Sequence, residues 1–242
     1  WFEKQTLLKA SFPFEVKSRL PMYEIPYGAV TRPSKPTTPQ DKAKFEVPAQ
    51  RWADLSDAKG GVSLLNDCKH GYDTDETTMR LSLLRSPHFA HPTDPSKLAD
   101  NRVSDQGEHE FTYALLPHSG DWRKGLTVRH ARELNTPVLV FHERIARRIS
   151  PLVSSTHANI VIDSIKKAED SDDLILRAYE AHGEQRETTF EFGFPVLKAF
   201  ECDLMEQVLN NLKTSRTKFK LKFKPFEVKT LKISLKPASL RK

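Results

Sequence analysis

The stretch GGVSLLNDCKHGYDTDETTMRLSLLR, Gly60 to Arg85, holds two strand-like runs joined by a polar segment. Val62, Leu64 and Leu65 lead in. Met79, Leu81, Leu83 and Leu84 lead out with the alternation of a half-buried strand, whose successive side chains point to opposite faces. The centre, Asn66 to Asp73, gathers two carboxylates, an amine, an imidazole and a phenol within eight residues. Asn, Asp and Gly supply turn propensity, so a long hairpin loop accounts for the backbone. Chemistry-bearing side chains clustered beside an apolar sheet are also what a binding loop on a rigid scaffold presents. Residue types alone leave both readings open.

Working outward, Leu7, Leu8, Ala10, Phe12, Phe14 and Val16 alternate near period two, and Tyr23, Ile25 and Tyr27 repeat the pattern. Pro13, Pro21 and Pro26 place these strands near sheet edges, since proline cannot donate to a ladder. Thr31 to Lys44 holds three prolines and no large apolar residue and reads as an exposed excursion. Phe45, Val47, Trp52 and Leu55 resume the strand pattern, and Ser86 to Gln106 is a polar loop containing prolines. Phe111, Tyr113 and Leu115 alternate within EHEFTYALLPH, and Leu126 to Leu134 carries the one helical pattern. Glu108, His109 and Glu110 would alternate faces on a strand, so His109 would not share a metal with both glutamates.

From Ile160 the chain reads as short regular strands: Ile160 to Ile165, Leu174 to His182, Thr188 to Phe194, Pro195 to Leu204, Thr217 to Phe223 and Phe226 to Leu235. Leu204 to Leu212 has helical spacing, but its two asparagines before Lys-Thr-Ser leave a loop as an equal alternative. A boundary in the polar stretch Ser154 to Ala158 gives domains 1–157 and 158–242. The last strands are basic, from Lys213 through Lys218, Lys220, Lys222, Lys224, Lys229, Lys232 and Lys236. A basic sheet with exposed rings would suit single-stranded nucleic acid. Here rings and lysines alternate, so the rings go to the core and the lysines form a solvated face that protects an edge.

The 242 residues, 38% hydrophobic and 29% charged, suffice for two modest cores, with a formal net charge of +6. No apolar run reaches the length that spans a bilayer. Two cysteines, Cys68 and Cys202, give neither a disulfide framework nor a structural zinc site and fit a reducing compartment. The opening at Trp1, directly into strand-like sequence, reads as a piece of a longer polypeptide.

LLNDCKHGYD, then RLSLLRSP, then GEHEFTYALLPHSGDW (Gly107 to Trp122) resemble the C-terminal region of glycoside hydrolase family 38, the α-mannosidases, nearest the subgroup with cytosolic, vacuolar and many bacterial members. WFEKQTLLKASFPFEV, YEIPYG, FEVPAQRWADLS, LILRAYEAHG and PFEVKTLKISL fit in the same order. The resemblance implies an all-β chain: a large antiparallel sandwich of the galactose-mutarotase type, lacking its beginning, followed by a small C-terminal β-sandwich. It implies a retaining reaction carried out in an N-terminal barrel, where zinc is held by histidines and aspartates beginning with a His-x-Asp motif. None of the nine histidines here is followed two residues later by aspartate, so neither catalytic nor metal-binding residues are expected in this chain, and zinc belongs to the missing catalytic domain. The isolated piece is expected to be inactive. Asp67, Lys69, Tyr72 and Asp73 are the expected substrate-binding residues at the rim of the mannose pocket. His70 stands where the family often has tyrosine, and Thr31 to Lys44 lacks the family's Asn-Thr-Ser-Trp type sequence. The implied partners are an α-mannoside and the enzyme's own N-terminal domain, with no nucleic acid and no membrane, a homo-oligomer left open, and a cytoplasmic location. The alternative is an independent carbohydrate- or nucleic-acid-binding module.

Overall fold

The computed structural model describes residues 1–235 apart from 17, 19, 36, 89–102, 141 and 143–150. The middle of the Ser86 to Gln106 loop and Lys236 lie outside the described residues. Two compact units form, one from Trp1–Pro26 and Val30–Pro137, the other from Tyr27–Ala29 and Val138–Lys242.

The first unit is built on strands β1 (Leu7–Pro13), β2 (Met22–Ile25), β3 (Gly28–Thr31), β4 (Val47–Pro48), β5 (Trp52–Ser56), β6 (Gly60–Asn66), β7 (Gly71–Thr74), β8 (Thr78–Arg85) and β9 (Tyr113–Ser119). They make two sheets, ordered β1-β8-β7-β4 and β3-β2-β5-β6-β9. Tyr23, Ala53, Leu55 and Leu64 from the second sheet pack on Tyr72, Met79 and Leu81 from the first, which makes the pair a sandwich. β1 is an edge strand as its prolines suggest, whereas β2 is not, because β3 covers its outer side.

The central stretch departs from a hairpin. β6 pairs with β5 and β9 in one sheet, whereas β7 pairs with β8 and β4 in the other. Residues 67–70 are therefore the crossing from one layer to the next. The hairpin lies further on, between β7 and β8, where Asp75 Oδ1 accepts from the backbone of Thr77 and Thr78.

The Thr31 to Lys44 excursion contains a short helix, α1 (Pro39–Ala43). Thr38 and Asp41 cap it reciprocally, and Pro39 occupies the first turn, where no donor is needed. The expected helix appears as α2 (Thr127–Asn135), with Thr127, Val128 and Ala131 buried. In β9, Tyr113 and Leu115 are largely exposed while Leu116 and His118 lie on the more protected face.

The second unit contains β10 (Val153–Ser155), β11 (Ile160–Lys167), β12 (Leu174–Glu180), β13 (Arg186–Phe192), β14 (Val196–Cys202), β15 (Val208–Leu212), β16 (Thr214–Ser215), β17 (Lys218–Phe223) and β18 (Val228–Leu235). Its sheets run β10-β13-β17-β16 and β11-β12-β18-β14-β15. Phe190, Phe192, Phe219 and Phe223 interlock between them with Leu176, Leu231 and Ile233. Val208–Leu212 is a strand, neither the helix nor the loop that its spacing offered, because β14 supplies a ladder for it. β17 alternates as expected: its lysines are exposed and its rings buried. Lys218 meets Glu191 at 2.9 Å, and Lys220 and Lys222 lie 3.9 and 3.8 Å from Glu187 on the neighbouring strand.

Candidate functional site

Asn66, the last residue of β6, organises the crossing. Its Oδ1 accepts from the backbone of Cys68 at 3.0 Å and Lys69 at 2.5 Å, while its Nδ2 donates to Gln50 O at 3.1 Å and to the Tyr72 hydroxyl. Asn135 of α2 donates to its carbonyl. Asn66 is 1% exposed, so this is a buried amide using acceptor and donors at once. The backbone of the loop as far as Lys69 is thereby held from inside.

Asp67 is exposed, and both its carboxylate oxygens accept from Thr112 N at 3.1 Å while its own N–H donates to Thr112 O. The Cys68 thiol and the Thr112 bonds keep the Asp67 carboxyl below its ordinary pKa. Lys69 Nζ lies 4.7 Å from the centre of the Phe111 ring. Two separated motifs, NDCK and EHEFT, thus meet at one end of the sandwich. Beside them opens a hollow of about 730 Å³ lined by Trp1, Leu84, Gly107 and the Glu108–Phe111 run. Glu108, His109 and Glu110 precede β9, so the strand alternation expected for them does not apply. His109 Nε2 faces Asp105 O at 2.9 Å.

The remaining expected residues have different surroundings. Tyr72 is fully buried, with its hydroxyl beside Asn66 Nδ2 and Gln50 O, and burial pushes its pKa far above the usual tyrosine range. From this buried position the Tyr72 phenol holds the loop from beneath. Asp73 is half-buried in an ion network, 2.5 Å from Lys9 and 2.6 Å from Arg80, and Arg80 also reaches Asp75 at 2.9 Å. His70 is exposed with Nδ1 3.2 Å from Ala49 O. Of the four expected site residues, the structure places Asp67 and Lys69 together at the loop and Asp73 in a separate network. Asn66 and Arg80 were not singled out from the sequence. An asparagine at a strand end, two residues before the first backbone donor it captures, is the signal that marks Asn66.

A second polar cluster lies on the face of the β3-β2-β5-β6-β9 sheet under α2. His118 Nε2 is 2.7 Å from Asp54 Oδ2, which also accepts from Ser63 Oγ at 2.7 Å, and Ser63 Oγ is 2.6 Å from Thr127 Oγ1. Ser56 donates to the other Asp54 oxygen at 2.7 Å. The hydrogen bond to Asp54 raises the His118 pKa. Serine, histidine and aspartate are present, but one ring nitrogen serves both partners, whereas a nucleophilic triad needs the two nitrogens to face opposite ways. The imidazole is also sealed in: a Cβ at Gly125 would lie 2.6 Å from His118 Cγ, and one at Gly61 would lie 2.8 Å from Cε1. This is a structural ion pair. Among the described residues no three His, Cys, Asp or Glu side chains are grouped to hold a metal ion.

Two β-sandwich units, with the NDCK and EHEFT motifs joined at one end of the first, are the frame against which comparison with known proteins gives the family. Residues 1–93 match the glycosyl hydrolases family 38 C-terminal domain, and residues 159–231 match the glycosyl hydrolases family 38 C-terminal beta sandwich domain. The chain belongs to the C-terminal region of glycosyl hydrolase family 38. It is 38% identical to alpha-mannosidase 2C1 of Homo sapiens over 98% of its own length and 22% of that protein's. With alpha-mannosidase G of Dictyostelium discoideum it shares 34% identity, over 96% of this chain and 21% of that protein. The chain thus spans roughly a fifth of the curated relatives it matches. Its fold is also that of part of an alpha-mannosidase from Enterococcus faecalis V583, with a TM-score of 0.73 at 18% identity, covering 94% of this chain and 26% of that one.

Proposed function

We propose that this chain is the non-catalytic C-terminal part of an α-mannosidase and that its NDCK loop forms part of the rim of the substrate site. The observation that carries the reading is the way residues 66–69 are built: Asn66 and Tyr72 fix the backbone from inside, while Asp67 meets Thr112 and Lys69 lies over the Phe111 ring, which lines the neighbouring hollow. Carboxylate and ammonium groups bond sugar hydroxyls, and an aromatic face receives the C–H side of a pyranose. Asp67 and Lys69 are the proposed contacts, Tyr72 positions the loop, and Asp73 belongs to the neighbouring charged face.

The chemistry itself is assigned to the part of the longer relatives outside this chain, where the family's zinc would reside. The same proposal includes an N-terminal catalytic domain as partner and a cytoplasmic location, which the two free thiols suit. No helix among the described residues is long and apolar enough to cross a membrane. The nucleic-acid alternative loses its stacking contribution, because the β17 rings are buried.

The test is kinetic. In the full-length enzyme, Asp67→Asn should lower kcat/KM for an aryl α-mannoside while leaving the melting temperature unchanged; lowered stability with unchanged kinetics would remove the loop from the substrate site.

A further inference from the structure

We propose that Phe45 is a stacking platform at the centre of an extended groove for a neutral oligosaccharide, a site distinct from the NDCK loop. Phe45 follows the α1 C-cap, Lys44, and is 77% exposed. It stands between two hollows. One, of about 370 Å³, includes Tyr23, Arg32, Asp73, Asp75 and Arg80 in its walls, and the other, of about 470 Å³, includes Leu7, Glu46, His70 and Arg85. Both lie within the size range of small-molecule sites, roughly 300–1,000 Å³.

A chain of partly exposed charges links the two hollows: Glu46 to Lys9 at 3.8 Å, Lys9 to Asp73 at 2.5 Å, Asp73 to Arg80 at 2.6 Å and Arg80 to Asp75 at 2.9 Å. Each group already has a partner of opposite sign, so none demands an ion. Their remaining lone pairs and N–H groups suit hydroxyls, which donate and accept together. Charge balance in the larger-walled hollow points the same way, with Asp41, Asp73 and Asp75 set against Arg32, Lys44 and Arg80. A phosphate site would carry a cationic excess. A ligand that fills the hollows on both sides of the ring would be longer than a single pyranose. The capping pair Thr38–Asp41 and the Lys44 N–H to Asp41 O bond hold the segment that carries the ring.

The mannoside identity of the ligand rests on the proposed function; the groove does not. The experiment titrates the full-length enzyme and its Phe45 variants with methyl α-mannoside, a linear α-linked mannotriose and cellotriose by calorimetry, reading the Phe45-dependent component. Mannotriose is expected to bind with a Kd on the order of millimolar and methyl α-mannoside much more weakly. Phe45→Ala should weaken the trisaccharide by about tenfold or more, Phe45→Trp should restore it, and neither should shift the melting temperature, because the ring is solvent-facing. Phe45-dependent binding of cellotriose alone would uphold the groove and overturn the mannoside reading. Absence of Phe45-dependent binding for every sugar, in a chain that melts normally, would overturn the groove and leave the loop to its own kinetic test.

Discussion

The two units bury polarity in different ways. In the second, the space between the sheets is filled by interlocking rings and aliphatic chains, and its fully buried carboxylate, Glu180, serves the backbone: it accepts from the N–H groups of His182, Gly183, Glu184 and Phe226 and from Asn159. In the first, buried polar side chains pair with each other across strands: Asp54 with His118 and Ser63, Asn66 with Tyr72, and Glu24 with Arg51 at 2.6 Å. A dry core tolerates volume changes by partial collapse, whereas a half-broken polar network leaves an unsatisfied group in a low-dielectric interior. The polar unit is the one that carries the loop and the groove. Its internal bonds hold the loop backbone as far as Lys69 from inside.

The comparison can be broken most sharply at Asp54 and Phe190. Asp54→Ala should destabilise the first unit by about 3–5 kcal/mol, because it strands His118 beside Ser63 in the interior. Phe190→Ala should cost the second unit a similar amount, roughly 3–5 kcal/mol, through a cavity. Denaturant melts followed by hydrogen exchange should assign each loss to its own unit; a loss shared by both would contradict independent cores.

The pH dependence separates the two mechanisms further. The His118 pKa is raised in the folded state by Asp54, so its contribution is fully present below the unfolded value of about 6.5 and is lost as pH rises through the folded value. First-unit stability should therefore decline above that point. His118→Gln should abolish the slope, while the Phe190→Ala deficit should be the same at every pH. A wild-type stability that instead rises with pH through this range would mean that the imidazole is buried neutral.

Much of this contrast was legible in the sequence, and unevenly so. Lys218 to Phe223 was readable because each side chain states its face, and the structure returns the same alternation. The chain between β6 and β7 was readable as a polar loop but not as a crossing, since β6 takes its partners from distant β5 and β9. Val208–Leu212 carried a helical spacing and no strand alternation: both Val208 and Leu209 are exposed, and the strand exists because β14 pairs with it. For Tyr72 the signal was present. It lies opposite Leu81 in the β7–β8 ladder, so its ring shares the core face while Asp73 takes the other. A phenol within a polar run suggested ligand chemistry, and the strand period outweighed it. The α1 cap, Thr38-x-x-Asp41, was also visible but masked by three prolines.

Smaller effects sharpen the division inside the loop itself. Asp67→Asn should change stability by no more than about 0.5 kcal/mol, as for most exposed positions. Loss of one hydroxyl partner from Asn66, in contrast, is expected to cost about 1–3 kcal/mol, because a buried amide donor is left unpaired.

The central claim, that the loop is held from within and read from without, is tested most directly by measuring the melting temperature and kcat/KM of Tyr72→Phe and Lys69→Met side by side in the full-length enzyme. The account predicts that Tyr72→Phe melts lower while retaining most of its turnover when folded, and that Lys69→Met melts like the parent but turns over an α-mannoside more slowly. The reverse pattern, with Lys69→Met impaired in folding and Tyr72→Phe impaired in catalysis alone, would contradict it.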